Sequence, residues 1–178
     1  MHLRNKEEKE IGINKYFLRG GFVDKRRIKE TVKRLKMLYS GLSLEDILLE
    51  RNIVRLYLDN NDLTKGVYTR VNGIQIIFIN SNLCDFERRM VLAHELGHAV
   101  LHPDVDFSDI KKIDEVTLAK YEFEADTFAS EILLDDDLLS KYPNCSVSDI
   151  ARCEGVCEKF VLIKFHNSVN FYKNFNII

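Results

Sequence analysis

At 178 residues, 46% of them hydrophobic, the chain can bury one substantial core but has no room for a second catalytic domain. Its formal net charge of −2 gives no general pull toward nucleic acid. No apolar run is long enough to span a membrane, and the opening MHLRNKEEKE lacks the apolar centre of a secretory signal, so the expected location is cytoplasmic. Cys84, Cys145, Cys153 and Cys157 are read as free thiols. None is spaced Cys-x-x-Cys, and Cys153 with Cys157 would supply only two ligands to a second metal.

In chain order, residues 1–22 read as an N-terminal tail. Residues 1–30 hold nine Lys or Arg against five acids, a mild excess taken as solvated charge. Asp24 is placed to cap a helix from Lys25 to about Tyr39, with Ile28, Val32, Leu35, Met37 and Leu38 as its apolar positions. Ser43, with Asp46 three residues on, caps a second helix ending near Asn52. Val67–Val71 and Ile74–Asn80 are β-prone runs joined by Asn72-Gly73, a strong hairpin signal. The second strand leads into the next helix. A strand beside a metal can hydrogen-bond an extended substrate through its main chain; a strand wholly paired inside the sheet is the alternative.

Asp85 is the expected N-cap of a helix running to about Leu101, made largely apolar by Met90, Val91, Ala93, Leu96, Ala99 and Val100. Inside it, residues 94–98 read His-Glu-Leu-Gly-His. On an α-helix the two histidines lie about 6 Å apart along the axis and roughly 40° apart around it, so both rings reach one metal ion. Glu95 flanks the same point, where it can take a proton from an attacking water. Histidines and a glutamate in so apolar a helix need partners, and a metal supplies them. Gly97, unfavourable by about 1 kcal/mol in a helix interior, points to close packing against a neighbouring element.

A catalytic tetrahedral site needs a third protein ligand. Residues 115–134 have helical periodicity and carry Glu122, Glu124 and Asp126. Glu122 and Asp126 are four apart and share a face; Glu124 lies on the opposite side. Glu122 is therefore assigned as ligand, and Asp126 as the carboxylate that accepts the second ring N–H of His94 or His98. His102 is declined as a ligand because it has rotated about 80° from His94 and Pro103 ends the helix. The macrodipole at the helix C-terminus accounts for it instead. Tyr68 and Tyr121 are phenols near the motifs, with nothing in their spacing to make either an oxyanion partner.

The segment 141–178 reads as a helix-turn-helix-like unit around Gly155. Its second helix offers only Lys159, Lys164 and His166 to a DNA groove, and from Ser146 onward four basic residues face three acids. Packing on the core, or docking of a protein, is favoured over DNA binding.

The stretch from Gly66 to Leu134 resembles the ImmA/IrrE family of metallopeptidases. The resemblance rests on Gly-Val-Tyr at 66–68, Ile-Ile-Phe-Ile-Asn-Ser-Asn at 76–82, Glu-Arg-Arg-Met-Val-Leu-Ala-His-Glu-Leu-Gly-His-Ala-Val-Leu-His at 87–102 and Glu-Phe-Glu-Ala-Asp-Thr-Phe-Ala at 122–129. It implies a gluzincin-like Zn²⁺ peptidase with His94, His98 and Glu122 as ligands and Glu95 as base, cutting a helix-turn-helix repressor and so switching genes of a mobile element or stress response. One departure is Leu134 followed by Asp135, Asp136 and Asp137, where such proteins commonly carry Met-Pro. The expected architecture is α+β: a minimal zincin-like core over 23–140, a small sheet with its hairpin packed on the active-site helices, and a helical C-terminal part. Two other readings remain: a non-catalytic metal-binding regulator that acts by protein binding, and a DNA-binding regulator using residues 146–166.

Overall fold

The structure is a computed structural model that describes residues 23–59 and 65–165; the tail at 1–22 and the end of the C-terminal segment lie outside the described residues. The chain is a mixed α+β fold. Helix α1 (Lys25–Leu38) begins where Asp24 accepts from the Arg27 N–H. Helix α2 (Leu44–Glu50) opens with a reciprocal capping box between Ser43 and Asp46, satisfying two of the amides a helix start leaves unpaired. Three strands follow: β1 (Val54–Leu58), β2 (Gly66–Val71) and β3 (Ile74–Asn80). Then come α3 (Asp85–Leu101), a 3₁₀ segment (Phe107–Lys112), α4 (Glu115–Leu133), the short α5 (Leu138–Lys141), α6 (Val147–Glu154) and α7 (Glu158–Phe165). Among the described residues no helix is long and apolar enough to cross a membrane.

Strand order is β1-β3-β2, with β1 parallel and β2 antiparallel to β3. Asn72 and Gly73 make the hairpin turn with φ of 50° and 83°, as a two-residue turn with both centres left-handed requires. The sequence reading did not include β1. Its Val-Arg-Leu-Tyr-Leu run is short and follows directly on the helix that ends near Asn52, and Asn52, at φ 55°, is the residue that turns the chain. That missing strand also decides between the two readings of the strand before α3, in favour of a strand wholly paired inside the sheet. The strand leading into α3, β3, is central and paired on both sides, so its main chain has no free edge for a substrate.

A further correction concerns the start of α3. Cys84, not Asp85, is the N-cap, and it makes no side-chain cap bond; Asp85 is the first helical residue and pairs with Arg88 at 2.9 Å. A carboxylate in the first turn is still favoured by the helix dipole.

The sheet's inner face, with Tyr68, Ile77 and Ile79 fully buried, packs on Leu92, Leu96 and Ala99 of α3, and α1 and α2 close the same cluster with Ile28, Val32, Leu35, Ile47 and Leu48. The other sides of α3 and α4 contribute Ala93 and Ala129 to a second cluster that takes in Ile150, Phe160, Val161 and Ile163 of α6 and α7. Where α3 and α4 cross, a Cβ on Gly97 would lie 3.1 Å from the Ala125 Cα and 3.2 Å from the Phe128 Cβ. A side chain at 97 would need α4 to give by a few tenths of an ångström, so glycine favours the approach that brings the faces carrying His94, His98 and Glu122 together.

Candidate metal centre

His94 and His98, one turn apart on α3, are met from α4 by Glu122. The two imidazole Nε2 atoms are 3.1 Å apart. Glu122 brings Oε2 to 3.4 Å from His94 Nε2 and Oε1 to 3.5 Å from His98 Nε2. One donor atom from each of the three lies within 4.8 Å of the others. Bonds of 2.0–2.1 Å to a tetrahedral metal place neighbouring ligand atoms roughly 3.3 Å apart, so the separations suit one such ion. Two ring nitrogens facing each other beside a carboxylate also call for a positive charge between them.

The charges around the point agree with that demand. Burial alone would lower the pKa of His94, but hydrogen bonding to Asp126 and Glu122 outweighs it and raises the value to about 10 in the metal-free chain. Burial alone would raise Glu122, and the hydrogen bonds from His94 and His98 instead hold its carboxyl far below the usual range. His98, 2% exposed, is lowered by burial, and its Nδ1 is buried without a hydrogen-bond partner among the described residues. Phe107 of the 3₁₀ segment stacks against its ring, centroid to centroid 4.0 Å. Glu122 remains 47% exposed, which leaves the centre open on that side.

Asp126 is 7% exposed and faces His94 Nδ1 at 3.1 Å, so His94 rather than His98 is the ring it orients. Its other oxygen pairs with Lys159 of α7. Sequence reasoning treated Lys159 only as a candidate DNA contact; its partner lies 33 positions away, and no local pattern points to it. Lys164 is likewise occupied, at 2.8 Å from Glu131 and 2.9 Å from Asp136. With both lysines engaged, α7 offers no free cation from this pair to a DNA phosphate.

Glu95 is 6% exposed beside the start of β2 and is pushed up to about 7 chiefly by burial, with Glu122 adding to the shift and His94 opposing it. A carboxylate poised near neutrality suits proton transfer in both directions. Tyr68 itself is a structural latch: its hydroxyl donates to the Pro103 carbonyl at 2.8 Å and accepts from Gln75 at 2.9 Å. Tyr121 lays its ring on His102, centroids 4.3 Å apart.

His102 is the C-cap of α3 and stands apart from the three donors, with Nε2 3.3 Å from Glu124 Oε2. Burial lowers its pKa to about 4, so the ring is neutral and the macrodipole explanation for it does not hold. The Asp-rich turn after α4 is used in ion pairs: Asp135 and Asp137 with Lys141, and Asp136 with Lys29 and Lys164.

Comparison with known proteins shows the family. Residues 50–171 match the IrrE N-terminal-like domain family. The chain is 36% identical over 139 residues to the uncharacterized immunity region protein 2 of Bacillus phage phi105, covering 77% of this chain and 88% of that protein. It is 32% identical over 94 residues to metallopeptidase ImmA of Bacillus subtilis (strain 168), covering 51% of this chain and 54% of that protein. A Mycobacterium tuberculosis transcriptional regulator shares the fold at a TM-score of 0.59 with 16% identity, over 84% of this chain and 48% of that one. The match across most of the sequence, on a fold that gathers His94, His98 and Glu122 at one point, places this chain in the ImmA/IrrE family of metallopeptidases.

Proposed function

We propose that the protein is a zinc-dependent endopeptidase of the cytoplasm that cleaves a regulatory protein, with a helix-turn-helix repressor as the expected substrate class. The observation that carries this reading is the convergence of His94, His98 and Glu122 on one point with the Glu95 carboxylate beside it. Donor types of two imidazoles and one carboxylate suit Zn²⁺ in a site that keeps a fourth position open. Zinc held there supplies Lewis-acid chemistry, acidifying a water and polarising the scissile carbonyl.

The chain's own groups do the rest. Glu95, near neutrality in its protonation, takes the proton of the attacking water and delivers it to the leaving amine nitrogen. Asp126 holds the His94 ring so that Nε2 faces the centre, and Lys159 occupies the second oxygen of Asp126. Phe107 shields one side of His98 from water. The names of the phage immunity region protein and of metallopeptidase ImmA support action on the control of a mobile element, and a repressor is the regulatory protein such control employs.

The test is to incubate zinc-loaded protein with purified helix-turn-helix repressors of the source genome and follow new termini by mass spectrometry. Wild type is expected to cut one of them, and Glu95→Gln to retain zinc while losing about 10²- to 10⁴-fold in rate. A Glu95→Gln protein that reproduces every effect of the wild type on its repressor would sink the peptidase reading in favour of a regulator acting by binding.

A further inference from the structure

Gly66, the first residue of β2, abuts Glu95. A Cβ at this position would lie 2.9 Å from Glu95 Oε1, 3.0 Å from Glu95 Cγ and 2.5 Å from Val91 Cγ1. Gly66 and Tyr68 are two apart on the strand, so their positions share the sheet face that looks toward α3. From this face Glu95 receives space, because Gly66 has no side chain to fill it. The backbone of Gly66 has no left-handed φ that would demand glycine, so the requirement is for room rather than for conformational freedom.

We infer that Gly66 is a positioning residue for the proton-transfer carboxylate: hydrogen in place of a side chain is what admits Glu95 to its place beside the metal ligands. The inference rests on Glu95 as the base. Any larger residue must displace something, and the atoms it meets differ in what they cost. Val91 is a packing contact of α3, whereas the Glu95 carboxylate is the end of a flexible side chain that moves readily and leaves its place in doing so. Misplacement of a reacting group by about 1 Å can cost on the order of 10²-fold in rate.

The experiment compares Gly66→Ala with the double variant Gly66→Ala, Val91→Ala. Val91→Ala removes the methyl groups that the new Cβ meets but leaves its conflict with Glu95 in place. Crystal structures of the zinc-loaded variants are expected to show the Glu95 carboxylate displaced from its wild-type position, with zinc retained within about twofold of wild-type affinity in chelator competition. On the repressor that wild type cleaves, kcat is expected to fall at least tenfold with KM little changed, and the double variant is not expected to recover it. Glu95 unmoved in Gly66→Ala, or full recovery of kcat in the double variant, would overturn the inference. The displacement and zinc readouts need no substrate. A wild type that binds zinc and cuts no repressor therefore counts against the peptidase reading, while the carboxylate's position still decides whether Gly66 sets it.

Discussion

The two ends of the α3–α4 pair are built from the same residue types and do different things. Toward the middle of α3, His94, His98 and Glu122 close on one point that stays open to solvent, with Asp126 behind the His94 ring at Nδ1. At its C-terminus, buried His102 brings Nε2 to 3.3 Å from the part-buried Glu124 carboxylate without a hydrogen bond. Both ends set histidine against carboxylate across the same helix crossing. What separates them is convergence: a helix advances by about 100° per residue, so Glu122 and Asp126 reach one flank of α3 and Glu124 the other. A histidine beside an acid is therefore not enough to make a centre. The number of donors that the crossing brings to one point decides it.

The largest effect that sharpens this contrast is on metal content. His98→Ala is expected to abolish tight zinc binding, and Asp126→Ala to weaken it by about 10- to 100-fold, while Glu124→Ala leaves it within about twofold. Elemental analysis and chelator competition measure all three, and equal losses in Asp126→Ala and Glu124→Ala would break the comparison.

Next comes pH, where the two ends titrate in opposite senses in the metal-free protein. His102 has its pKa depressed from 6.5 to about 4, so between those values the unfolded chain binds a proton that the folded one refuses, and stability is lost as pH falls through that window. His94 is raised from 6.5 to about 10, so its contribution is fully present below pH 6.5 and is lost as pH rises toward 10. Thermal unfolding of the metal-free protein across pH 4–10 should show His102→Phe flattening the acid side and His94→Phe the alkaline side. A flat wild-type profile on either side would remove that end's share of the argument.

The smallest effect concerns what supports each end from outside. Lys159→Met strips the partner from one oxygen of buried Asp126 and should cost about 1 kcal/mol, reduced because Lys159 is 43% exposed. Lys164, 3% exposed between Glu131 and Asp136, should cost more as Lys164→Met, about 1–3 kcal/mol. Denaturant unfolding ranks the two, and the reverse order would mean that Asp126 depends on α7 more than the geometry indicates.

Much of this was legible in the sequence, for reasons that are local. Caps, the Asn72-Gly73 turn and helical periodicity depend on residues within a few positions of one another, and the angular separation of Glu122 and Asp126 from Glu124 is arithmetic on a helix. Gly97 announced a close approach without naming Ala125 as its partner. What stayed hidden depends on distance in space. Lys159 finds Asp126 only once α7 has docked, Gly66 is informative only when α3 is known to lie beneath it, and the neutrality of His102 follows from burial that no spacing reveals. The strand β1 had a readable alternation, yet its place decided the sheet order, and with it which edges are free.

The sharing of α3 and α4 between the two hydrophobic clusters has a consequence for how the molecule opens. Ala93 and Leu92 are neighbours in sequence and belong to different clusters, as do Phe128 and Ala129. Fraying of α6 and α7 uncovers the back of the helices whose fronts carry the metal ligands. Amide exchange should then find its slowest protons in α3 and α4, and release of the C-terminal pair and slackening of the centre should occur as one cooperative event.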